Sequence, residues 1–183
     1  GLVGSEMCIR DRAPPLGEAA AGHAPTANFV DMVTGLIPGS IGETSLIAIA
    51  IGAFILLYTR IASWKTMSGV FVGGIIIAYL FNILNLENNA VANIPWYEHL
   101  ATGGFAFGAV FMATDPVTSS RTEQGKFIYG FLIGALAILI RVLNPGFPEG
   151  MMLAILFMNM FAPLIDYCVV QKNITRRMKR LQQ

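Results

Sequence analysis

The chain has 183 residues, 55% of them hydrophobic and only 13% charged, with a mean hydropathy of +0.62. Soluble domains carry about a quarter of their residues as charged groups, so this composition excludes a soluble globular domain and puts most of the chain in lipid. The net charge of +1 says nothing alone; the positions of the charges say more.

Residues 1–12 (GLVGSEMCIRDR) are neither apolar enough for a signal peptide nor patterned as a helix. The string resembles translated sequencing-adapter DNA, so it is read as a non-native leader and the chain as the downstream part of a longer protein. Residues 13–43 read as an extramembrane linker and approach to the first helix, rich in Pro, Ala and Gly at its start. Within it, Gly39, Ser40 and Gly42 form a turn before a helix start. Backbone N–H groups at such a turn can hold a phosphate, although no lysine completes a P-loop.

Residues 44–183 read as a five-helix membrane repeat with a basic tail. The apolar segments are expected at about 44–58, 68–84, 99–113, 127–143 and 149–170. A membrane helix needs about 20 residues. The first and third are near the short limit, so they are tilted, extended by their flanks, or broken. Pro95-Trp96-Tyr97 suits a membrane interface. Arg60 and Lys65, then Arg121 and Lys126, then Lys172, Arg176, Arg177, Lys179 and Arg180 lie in alternate connections and the tail. Glu87, Glu98, Arg141 and Glu149 occupy the other side. By the positive-inside rule the C-terminus is cytoplasmic. After a membrane helix the basic tail is not read as a nucleic-acid arm.

Acids in or at the ends of membrane helices mark ion or proton paths by default. Three qualify: Asp115, Glu149 and Asp166. If 103–116 is helical, Phe107, Phe111 and Asp115 line one face, two rings leading to a charge. The alternative is a packing helix whose Asp115 caps the next segment. In the fifth helix Pro163 frees the carbonyl of Asn159, and Asn159 and Asp166 share a face. Together they offer oxygen ligands for a small cation. Otherwise Asp166 is a wetted acid at the interface, and Glu149 a helix-start charge. Cys8 and Cys168 imply no disulfide, His23 and His99 have no ligand-spaced companions, and no catalytic nucleophile–base set or metal site is present.

The stretches PGSIGETS (38–45), IASWK (61–65), GGFAFGAVFMATDPVTS (103–119), GKFIYGFLIGALAILIRVLNP (125–145), PEGMMLAILFMN (148–159) and FAPLIDY (161–167) occur in this order. Over about residues 13–183 they resemble the C-terminal half of the B-type subunit family of sodium-translocating NADH:quinone oxidoreductases. The related D-type subunit of the Rnf complex shares the ATDP and PLIDY elements but is less similar at 38–45 and 148–159. The resemblance implies an all-α integral membrane fold, this chain being the second of two inverted five-helix repeats in a bacterial inner membrane. It implies a redox-driven sodium pump with covalent FMN and riboflavin, working with the other subunits, a quinone, the missing N-terminal repeat and membrane lipid. It assigns Asp115 and Asp166 to sodium uptake and Phe107 and Phe111 to a narrowing of the path. The family's FMN-bearing threonine is matched by Pro14, which has no hydroxyl, so no attachment residue is assigned; Thr26 and Thr34 lie off the motif. The alternatives are an Rnf subunit, half of a passive small-solute transporter, or a fragment without activity of its own.

Overall fold

The structure, a computed structural model, describes residues 33–35, 44–84, 91–92, 94–102, 104–144 and 150–181. All regular structure among them is helical. Helix α1 (Leu46–Tyr58) is short and starts at Ser45, whose hydroxyl accepts from Ala48 N–H. It is followed by α2 (Trp64–Leu84), α3 (Trp96–Ala101), a single turn α4 (Phe105–Phe107) that runs into a π-helical segment π1 (Gly108–Met112), then α5 (Glu123–Leu143) and α6 (Met151–Leu181).

Among the described residues, α2, α5 and α6 are long and apolar enough to cross a membrane, and α1 is a shorter apolar helix. The protein is therefore membrane-embedded, and its described part is all-helical. The long helices begin earlier than hydropathy suggests, at Trp64 and Glu123, because their polar first turns are still helical. Thr122 caps α5 by accepting from Gly125 N–H. Helix α6 continues through the basic tail to Leu181, with Pro163 inside it. Its 31 residues reach about 46 Å at 1.5 Å per residue, more than the roughly 30 Å of hydrocarbon, so its last turns project beyond the lipid.

Lipid tails are as apolar as leucine, so helices here are held by close packing and polar bonds rather than by escape from water. The tightest seam joins α2 and α5, which run parallel. Gly69 and Gly73 on α2 face Gly130 and Gly134 on α5, backbone against backbone. A Cβ on Gly69 would meet Phe127 O at 2.8 Å, and one on Gly134 would strike Val70 O. Helix α6 packs antiparallel on α5. The main core includes Val70, Phe105, Tyr129, Ile133, Ala154 and Met158; a second cluster joins Ile49 of α1 to Met67, Ala106 and Val110.

The third segment runs antiparallel to α2 along much of its length. Asn82 at the far end of α2, with its amide oriented to satisfy both groups, donates to Ile94 O (3.0 Å) and accepts from Trp96 N–H (3.3 Å). Phe105 fills the space left by Gly74, and Val110 reaches Met67. The segment is broken, as its length allowed: Thr102 is extended and Gly104 is left-handed (φ 63°), a conformation glycine adopts without steric cost.

Candidate functional site

The expected face Phe107–Phe111–Asp115 does not form as one helical stripe. In π1 the Ala113 N–H bonds to Gly108 O (2.8 Å), five residues back, and the helix ends at Met112. The two rings still meet, with centroids 5.0 Å apart at 44°. Phe111 lies over Gly52 of α1, where a Cβ would overlap its ring at 2.5 Å. Asp115 sits beyond the helix end. It accepts from the Thr118 hydroxyl (2.9 Å), Thr118 N–H (3.3 Å) and Val117 N–H (3.4 Å). These bonds, led by the Thr118 hydroxyl, hold its carboxyl below the usual carboxylate range. The capping role that the sequence offered as the alternative is thus present, and the carboxylate is only partly buried.

Asp166 is held more firmly. It accepts from the Ser120 hydroxyl (2.5 Å), Arg121 N–H (2.8 Å), Thr122 N–H (3.0 Å) and the Thr122 hydroxyl (2.7 Å). A carboxylate on α6 therefore ties down the loop that carries Asp115 into α5. Asn159, about two turns earlier on the same helix, accepts from the Tyr129 hydroxyl of α5. Tyr129 is fully buried and lies within electrostatic reach of Asp115. Thus Asp115, Asn159 and Asp166 all belong to the end of the fold where α5 begins and its neighbourhood, with Tyr129 bonded to Asn159. Gly39, Ser40, Gly42 and Pro14, with Glu149, the leader and most of the linker, lie outside the described residues.

Arg141 needs correction. Sequence reasoning placed it with the loop charges, but it is 1% exposed in the last turn of α5. Its guanidinium donates to His99 O (2.7 Å) and Thr102 O (3.2 Å). These are carbonyls at the end of α3, left without helical partners where the third segment breaks. Tyr129, Ser120 and Thr122 were also missed. The signal for Arg141 was available: a cation inside an apolar run is costly and needs a named partner. The hydroxyl partners carry no such signal in sequence.

These features define a polytopic α-helical membrane protein with a discontinuous, π-containing segment between continuous ones. Residues 9–175 match the NQR2, RnfD, RnfE family, and the chain belongs to it. The B-type subunit of the Na(+)-translocating NADH-quinone reductase of Chromohalobacter salexigens is 62% identical over 150 residues, 82% of this chain and 36% of that protein. The subunits of the same name from Pseudomonas paraeruginosa and Pseudomonas aeruginosa are each 57% identical over 159 residues, 87% of this chain and 39% of theirs. The chain thus spans less than two fifths of the length of these curated relatives.

Proposed function

We propose that the chain is the C-terminal part of the B-type subunit of a pump that couples NADH oxidation and quinone reduction to sodium export across a bacterial inner membrane. Its five segments cross the membrane as the second of two inverted repeats, with the C-terminus in the cytoplasm. Sodium is the cargo. The high identity to subunits named for sodium translocation supports this reading over an Rnf subunit or a passive transporter half.

The observation that carries the mechanism is the Phe107–Phe111 ring pair, which spans the junction of α4 and π1 with Phe111 four residues before the Asp115 carboxylate turn. Two apposed phenyl rings offer a hydrated ion no oxygen ligands, so they act as a dry gate. A carboxylate at the mouth attracts a cation and compensates part of its lost hydration. Asp115, bonded only within its own turn, is the acid that meets the ion. Asp166 adds charge and fixes the loop, and the Tyr129–Asn159 pair continues the polar line along α5 and α6. FMN and riboflavin would supply the electron-carrying step in the complete subunit; none of the described residues is assigned to them. Other subunits, the quinone, lipid and the first repeat are the partners.

In a full-length reductase, Asp115→Ala should raise the sodium concentration for half-maximal quinone reduction about tenfold, ~1.4 kcal/mol of lost binding. A sodium response identical to the parent's would remove Asp115 from the pathway.

A further inference from the structure

Two clefts open side by side at the end of the fold where α1 finishes and α2 and α5 begin. The larger, of about 640 Å³, is lined by Arg60, Lys65, Lys126, Glu123, Ile61 and Trp64 among others. The smaller, of about 260 Å³, shares Ile61 and Lys126 and adds Arg121. Four cations therefore surround this space, and among the described carboxylates Glu123 is the one ion-paired with them, bridging Lys65 (2.5 Å) and Lys126 (3.1 Å), while Asp115 and Asp166 accept from hydroxyls and N–H groups of the nearby loop. Neither Arg60 nor Arg121 is ion-paired with a described carboxylate.

Arg60 stands out for its backbone. Among the described residues it is the only non-glycine with positive φ, at 59°. It follows the C-cap of α1, with its N–H on Leu57 O (3.1 Å) and Ala62 N–H on Leu56 O (3.3 Å). Glycine is the usual occupant of that position, and an L side chain there is strained. A guanidinium has been placed at the cleft in spite of that strain. Beside the cations the wall is apolar and open: Ile61 is 62% and Trp64 63% exposed. A soluble polyanion would leave this wall unused, whereas a lipid would cover it.

We propose that the cleft binds an anionic phospholipid, its phosphate among Arg60, Lys65 and Lys126 and its acyl chains along Ile61 and Trp64. Basic pockets between membrane helices attract such headgroups, each cation contributing about a fivefold gain in affinity. The inference is independent of the sodium pathway.

The chain's two tryptophans make the test local. Trp64 begins α2 at the cleft; Trp96 lies beside Asn82 near the other end of that helix. The full chain is reconstituted in phosphatidylcholine bilayers, and either brominated phosphatidylglycerol or brominated phosphatidylcholine quenches its fluorescence. With Trp96→Phe, Trp64 should show a several-fold preference for the anionic lipid; with Trp64→Phe, Trp96 should show none. Arg60→Gly should cut the Trp64 preference about fivefold while the melting temperature stays level or rises, since the strained residue is replaced by the one the turn favours. Glu123→Gln should raise the preference by freeing two lysines. Equal quenching at Trp64, the same preference at Trp96, or an unchanged preference in Arg60→Gly would each overturn the proposal. So would loss of the preference on adding inorganic phosphate at constant ionic strength, which would assign the cleft to free phosphate.

Discussion

The α2–α5 seam and the third segment lie against each other and are built on opposite principles. In the seam, two unbroken 21-residue helices touch through glycines spaced four apart, with no room for even one added methyl group. In the third segment the backbone is interrupted at Thr102 and Gly104 and widened at π1, and side chains from elsewhere supply what the helix lacks. Arg141 satisfies the stranded carbonyls, Gly52 receives Phe111, and Asp166 holds the following loop. The difference teaches that a rigid pair of helices serves as a frame for an irregular one. Irregular backbone persists within a membrane only when protein groups complete its hydrogen bonds.

Breaking the frame should have the largest effect. Gly134→Val forces α2 and α5 apart against Val70 O, and the expected loss is at least about 3 kcal/mol, beyond ordinary overpacking. Thermal aggregation in detergent should start well below the parent temperature; a normal melt would show that the seam is not the frame. Next comes Arg141→Ala, which strands two buried carbonyls at about 1–3 kcal/mol each. Proteolysis should then cut between Trp96 and Phe105 while α2 and α5 stay resistant, and resistance at the break would show that Arg141 does not hold it. Asp166→Ala removes the acceptor of four bonds, an expected loss of about 1–3 kcal/mol. Faster amide exchange should appear at 120–122.

The smallest effect concerns acid. The folded-state carboxyl of Asp115 is held below its unfolded value, so its contribution is complete above about pH 4 and fades as pH falls through the depressed folded value. Melting temperatures followed from pH 6 to 3 should show a shallower acid decline in Asp115→Asn than in the parent. Coincident curves would leave the Asp115 turn without energetic weight.

Hydropathy made the membrane class, the three long apolar helices and the shortness of the first apolar helix legible, because lipid selects bulk composition. The basic residues were also readable as a set: Arg60, Lys65, Arg121 and Lys126 do meet at one end. The π turn was not readable, since GAVFM fits an α-helix equally well and nothing local marks a residue that will pack against α1, α2 and α6. The same limit hid the partners of Asp166. Hydroxyls at Ser120 and Thr122 look like any polar loop until the fold brings α6 alongside, 44 residues later. The seam glycines at 69, 73, 130 and 134 were likewise unreadable, because their partners lie on another helix.

The five-residue hydrogen bond from Ala113 to Gly108 has one further outcome. If that amide switched its acceptor to Ala109 O, a narrower turn would close and the surplus residue would pass onward along the chain. A residue in an α-helix turns about 100°, so the Phe111 ring would be re-aimed by a single exchanged bond. The ends of the segment, pinned by Arg141 and by the Asp166 loop, need not travel at all.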